Sequence, residues 1–287
     1  MESRSVFKVG GVPEHFNLPW HLAGEEGDFE KVGVSVEYQD YPGGTGAMTR
    51  ALASGELDLA IVLTEGIISA IHQGNPSRII KSYIDSPLIW GIHVAANGQL
   101  QKEEDMEGKR FAISRFGSGS HLMAIVDAMN RGWEHENLLF EKVGNLDGAI
   151  EALPADKADV FLWERFSTQP FVDDGIFRRI GEIPTPWPSF MIAVREEVFE
   201  NRSKDLQKLL DVINRKCKAL MKDPDAVSTI AHRYDLEPEQ VAIWFELTKW
   251  STDLSIPTQS LLKTQEALLK AGIVEKKMKL NKLCFVD

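Results

Sequence analysis

Short apolar strands alternate with helical stretches twice over along this chain, and that alternation limits the possible folds more than any single motif. The first pass reads as strand 6–9, helix 18–24, strand 34–38, helix 45–54, strand 57–62, helix 67–73 and strand 78–83. Strand and helix at this spacing predict a mostly parallel sheet with helices on both faces. The second pass runs through strands 91–95 and 110–113, helix 121–131, strand 139–143, helix 147–152, and strands 159–162 and 177–180. Each pass is long enough to bury a core of its own, and 287 residues exceed the usual size of one domain.

The Pro-rich stretch 184–188 interrupts the second pass, and with the strand 190–194 that follows it suits a crossing between lobes. From about 197 the pattern turns helical. Leu206, Leu209, Leu210, Ile213, Cys217, Leu220 and Met221 recur at three- and four-residue spacing, the mark of one apolar helix face. Asp223-Pro224-Asp225 stops that helix, and further helices follow over 237–250 and 258–271, the last capped by Gly272.

A net charge of −11 and a pI near 5.2 argue against a phosphate backbone as partner, since nucleic-acid binders concentrate basic charge. No apolar run reaches the roughly 18 to 20 residues that span a bilayer. With two cysteines, Cys217 and Cys284, neither a disulfide framework nor a cysteine metal site is expected. Cys217 on an apolar helix face reads as a small buried hydrophobe. The polar opening Met-Glu-Ser-Arg-Ser leads straight into a strand with no apolar signal region, which gives a cytoplasmic expectation.

Ligands of open α/β sheets sit beyond the carboxyl ends of the strands, so the loops there carry the functional information. In the first pass they read Gly10-Gly11-Val12-Pro13-Glu14-His15-Phe16-Asn17, then Tyr41-Pro42-Gly43-Gly44-Thr45-Gly46, then Leu63-Thr64-Glu65-Gly66. In the second pass they read Ser114-Arg115-Phe116-Gly117-Ser118-Gly119-Ser120-His121 and Trp163-Glu164-Arg165-Phe166. Two are Gly/Ser/Thr-rich and lead into helices, where backbone N–H groups and the helix dipole suit a ligand's oxygens. Taken singly, such glycines more often serve a positive φ.

The order Pro-Gly-Gly-Thr-Gly-Ala-Met, Ala-Ser-Gly-Glu-Leu-Asp-Leu-Ala, Ser-Arg-Phe-Gly-Ser-Gly-Ser-His and Leu-Trp-Glu, with the ending Ala-Gly-Ile-Val, resembles the type II periplasmic binding proteins for sulphonates, nitrate and taurine. It also resembles their cytoplasmic relatives, including the fungal thiamine-pyrimidine synthases. The resemblance covers nearly the whole chain. It implies an α/β, two-lobed type II periplasmic-binding-protein-like fold with C-terminal helices, two crossing strands and a ligand cleft between the lobes. Lobe 1 is then 1–88, with the helices of 195–287 returning to it, and lobe 2 is 89–190. The cysteine-rich CCCFC segment of the fungal synthases is absent, so their iron-dependent chemistry is not carried over.

Carried over residue by residue, the resemblance gives a ligand shell of Pro13, Glu14, His15, Phe16, Asn17, Tyr41, Gly43, Gly44, Thr45, Thr64 and Glu65 from lobe 1. Lobe 2 adds Ser114, Arg115, Gly117, Ser118, Gly119, Ser120, His121, Trp163 and Glu164. Glu14, Glu65 and Glu164 outnumber the single cation Arg115, and carboxylates among aromatics favour an amine or protonated heterocycle over a simple anion. His15 and His121 lack the spacing of a metal site, and no catalytic residue, metal or cofactor is assigned. His93, Trp20, Trp90 and Trp133 fall in apolar segments and read as core, while Trp163 and Trp187 are the stacking candidates.

The expected function is binding of a small organic ligand, an amine or heteroaromatic compound, by hinge closure. The alternative is an enzyme of cofactor-precursor metabolism on the same fold, with Glu14, His15 or His121 as acid–base groups. The partner is the ligand, with a transporter as second partner if the protein is secreted; the sequence is silent on oligomeric state.

Overall fold

The computed structural model describes residues 5–285 and divides into two compact units. In described residues the first comprises 5–86, 187–264 and 277–285, and the second 87–186 and 265–276. The C-terminal region therefore does not return to the first unit as one block, because 265–276 groups with the second.

The first unit opens with β1 (Ser5–Gly11), α1 (Leu18–Glu25), α2 (Asp28–Lys31), β2 (Val34–Asp40), α3 (Gly44–Ser54), β3 (Leu59–Leu63), α4 (Thr64–His72) and β4 (Ser77–Ile84). The second unit carries β5 (Ile89–Ala95), β6 (Arg110–Ile113), α5 (Gly119–Arg131), β7 (Leu139–Lys142), α6 (Leu146–Ala152), β8 (Val160–Glu164), α7 (Gln169–Asp173) and β9 (Phe177–Pro184). The chain then adds β10 (Phe190–Arg195), α8 (Glu196–Leu220), α9 (Ala226–Tyr234), α10 (Pro238–Leu247), α11 (Thr258–Lys270) and α12 (Leu280–Leu283).

Each unit has a five-stranded sheet, ordered β2-β1-β3-β10-β4 in the first and β7-β6-β8-β5-β9 in the second. The expectation of mostly parallel sheets needs correction. β1 pairs in parallel with β2 and β3, but β10 runs antiparallel to both of its neighbours, β3 and β4. In the second sheet β6 pairs in parallel with β7 and β8, while β5 is antiparallel to β8 and β9. The parallel strands need helical crossovers, and the strand that runs antiparallel in each sheet, β10 or β5, is the first one the chain forms on arriving from the other unit.

β3 is buried along Leu59, Ala60, Ile61 and Val62, which explains its unbroken apolar run: both faces of the strand are covered. The apolar face of α8 is as its spacing requires, with Leu206, Leu209, Leu210, Ile213, Cys217 and Leu220 buried. Burial pushes the Cys217 thiol up to about 12, so it stays protonated. In the second unit Ala112, Ala149, Leu153, Phe161 and Phe177 form a core cluster. No helix among the described residues is long and apolar enough to cross a membrane.

Candidate functional site

In the first unit the loops after β1, β2 and β3 converge at one end of the sheet because their strands are neighbours. Direct bonds tie them together. Tyr41 N–H donates to Gly11 O at 2.7 Å, and Leu63 N–H donates to Thr45 Oγ1 at 3.0 Å. Pro13 is exposed and Glu14 half-buried, while His15, Phe16 and Asn17 form a buried 3-10 turn. That turn anchors the loop: Asn17 Nδ2 donates to Val12 O at 2.8 Å, and Phe16 O accepts from Tyr83 Oη at 2.8 Å and Trp250 Nε1 at 3.0 Å.

Gly11 is required by crowding, since a Cβ there would lie 2.0 Å from Tyr38 Oη. Gly44, at φ +64°, opens α3 in a conformation that other residues rarely adopt. Tyr41 turns its hydroxyl to Glu56 Oε1 at 2.9 Å.

His15 lies inside an aromatic cluster, its ring 3.9 Å from Trp244 and 5.3 Å from Phe16 between centroids. Burial lowers its pKa to about 3, so the ring is neutral at ordinary pH. Glu65, on the first turn of α4, is 3% exposed. Its Oε2 accepts the Trp187 indole N–H at 2.9 Å, and its Oε1 is buried without a hydrogen-bond partner. Burial raises its pKa to about 7. Trp187, expected to stack on a ligand, is instead 3% exposed and committed to this contact.

In the second unit the loop 114–121 is knitted by its serines. Ser118 caps α5, its Oγ accepting from His121 N–H at 3.3 Å, and Ser114 N–H donates to Ser120 Oγ at 3.1 Å. Gly117 N–H donates to His121 Nδ1 at 3.1 Å, a bond that needs an unprotonated Nδ1. Desolvation lowers the His121 pKa, in keeping with that bond. Arg115 is exposed at the loop tip, and Gly119 and Ser120 begin α5.

Phe116 lies within this loop, between the expected contacts Arg115 and Gly117, and it is 60% exposed. Its ring meets His121 edge-on at 5.3 Å and Phe140 at 6.0 Å, while His121 and Phe140 are 4.7 Å apart. The available signal was a lone phenylalanine in a Gly/Ser-rich turn, where nothing local can bury it.

The other second-unit candidates behave differently from expectation. β8 runs two residues past its apolar core, so Trp163 is a strand residue, half-buried, stacked on Phe161 at 5.2 Å and packed on the core cluster. Glu164 is buried, and its Oε2 accepts from Ser167 N–H at 2.6 Å while burial raises its pKa. Three free carboxylates therefore do not face Arg115. Glu164 holds its own loop, Glu65 holds Trp187, and of the three only Glu14 is partly open to solvent. No group of three or more His, Cys, Asp or Glu side chains able to hold a metal occurs among the described residues.

Comparison with known proteins gives two family matches, a model described as NMT1-like family over residues 2–100 and one described as Ca3427-like PBP over residues 90–183. No curated protein sequence matches the chain. Among solved structures, the CA3427 gene product of Candida albicans, described as having the generic periplasmic binding protein fold, aligns with a TM-score of 0.89 at 25% identity over 98% of both chains. The alkanesulfonate-binding protein SsuA from Xanthomonas axonopodis pv. citri, bound to MOPS, aligns at 0.83 and 15% identity over 99% of both. The aliphatic sulphonate binding protein SsuA from Escherichia coli aligns at 0.77 and 15% identity, over 99% of this chain and 93% of that one. Two family models that together run from residue 2 to residue 183, and structural matches along nearly the full length, show that the chain has the two-lobed fold of the periplasmic binding proteins and is similar to their type II members.

Proposed function

We propose that the chain binds a small, neutral or weakly basic heteroaromatic molecule and encloses it by movement of its two units about the strands that join them. The observation that carries this reading is the loop arrangement. In each sheet three neighbouring strands, β2-β1-β3 and β7-β6-β8, are parallel, so their C-terminal loops share one end, and the candidate contacts lie on those loops or on the strand end or first helical turn beside them.

An aromatic ligand is favoured over a charged amine by what the loops expose. At the 114–121 tip the Phe116 ring is exposed alongside the cation Arg115, which disfavours a charged amine, and two of the three carboxylates are spent on internal hydrogen bonds. The sulphonate binders share the fold at 15% identity, a level that carries no ligand over. An acid–base role for His15 in the alternative, enzymatic reading lacks support, because its enclosed ring is neutral down to a pKa of about 3.

The test is mass spectrometry of compounds released by denaturing freshly purified protein, followed by titration of the recovered compound. A planar nitrogen heterocycle whose affinity falls on Phe116→Ala supports the proposal. A compound without an aromatic ring overturns it.

A further inference from the structure

Building on the ligand-binding reading above, we infer that Glu65 is a positioning residue of the hinge. From the first turn of α4 its carboxyl fixes the chain where it returns from the second unit to the first, and so governs how readily the units close.

The chain passes between units at 86/87 and again at 186/187. On the second-unit side the two crossing strands bond to each other, Leu88 N–H to Thr185 Oγ1 at 3.0 Å and Thr185 N–H to Leu88 O at 2.9 Å. On the first-unit side Ser189 N–H and Ser189 Oγ both donate to Ser86 O, at 3.1 and 2.9 Å. Between these ties lie Pro87, Pro186, Trp187 and Pro188, and the three prolines have no backbone N–H with which to extend the ladder.

What grips this interval is the start of α4. Thr64 N–H donates to Ser189 O at 3.1 Å, Thr64 Oγ1 donates to Pro188 O, and Glu65 Oε2 accepts from Trp187 Nε1 at 2.9 Å. Glu65 thus supplies the side-chain hold on Trp187, the residue at the boundary itself.

A glutamine at position 65 would accept the same indole N–H without burying a charge, so the fold alone does not call for an acid there. A carboxylate accepts more strongly than the neutral acid, and the neutral acid has no acceptor near Oε1 for its proton. No charged side chain is among the groups acting on Glu65. Burial raises its pKa to about 7, opposed only by its own backbone N–H and by Trp187. The grip on Trp187 therefore tightens as pH rises through neutrality.

The experiment measures the distance between spin labels on Glu37→Cys in the first unit and Glu141→Cys in the second, both exposed sites; Cys217 and Cys284 are buried and stay unlabelled. The full chain is stripped of bound compound and followed from pH 6 to 8, in the parent and in Glu65→Gln and Trp187→Phe, each checked for cooperative unfolding. The expected result is a distance distribution whose populations change several-fold with a midpoint near neutrality in the parent, and no pH response in either variant. The same pH response in Glu65→Gln, or none in the parent, overturns the inference. Because no ligand enters this measurement, it stands or falls separately from the mass-spectrometric test of the ligand class.

Discussion

His15 and His93 are both buried and neutral, and they give the fold a defined response to acid. Burial lowers the pKa of each to about 3, with His93 also bonded to Thr168 Oγ1 and close to Phe161 O. A lowered folded pKa means stability that is full above the ordinary value of 6.5 and lost as pH falls toward the folded one, at about 1.4 kcal/mol per pH unit for each group. Glu65 acts in the opposite sense: its contribution is full below 4.5 and lost as pH rises through about 7. Urea unfolding between pH 7 and 5 should therefore show declining stability, shallower in His15→Phe and steeper in Glu65→Gln. Parallel profiles in all three proteins would show that these groups do not carry the effect. The two aromatic candidates of the second unit separate in the same way. Trp163→Ala opens a gap beside Phe161 and should lower stability, by about 2 kcal/mol, together with affinity. Phe116→Ala removes an exposed ring and should lower affinity alone, by about 1 to 3 kcal/mol if it stacks on the ligand. Equal unfolding midpoints for Trp163→Ala and the parent would contradict the packing described for that ring.

The loop 114–121 and the α5 helix it feeds form one unit of local structure, with Ser118 as its cap. Ser118→Ala should cost about 1 kcal/mol, read as a lowered thermal midpoint, and a midpoint unchanged from the parent would mean the cap contributes nothing. Most elements were legible in the sequence because apolar periodicity and glycine or proline punctuation are local signals, and 110–113 matches β6 residue for residue. Strand direction was not legible: an alternating or continuous apolar run reads the same in either sense, so nothing in 190–194 or 91–95 marks β10 or β5 as antiparallel. The sequence also located the candidate loops but not the commitments inside them. Glu164, Glu65 and Trp187 look available on paper because the sequence lists their charges and rings without their partners. α9 was missed because Asp223-Pro224-Asp225, read as the end of one helix, also leads into the next.

At the scale of the whole molecule, enclosure of a ligand should make the protein more compact. Small-angle scattering with and without the recovered compound checks this, and an unchanged radius of gyration at saturation would rule closure out. The sheet of the first unit also sets the order in which the protein can be built. β10 lies between β3 and β4, so those two strands do not pair with each other and residues 190–195 complete the ladder between them. A ribosome delivering the chain from its N-terminus must therefore synthesise all of 87–186 before β4 can pair with the rest of its sheet. Until then β3 and β4 present unpaired edges, which invites association with other nascent chains. The second unit holds all five strands of its sheet in one continuous stretch and can form its sheet first. Folding of the first unit is thus timed by the second, and a fragment ending before 190 should be captured by chaperones or aggregate, whatever the local quality of its first 86 residues.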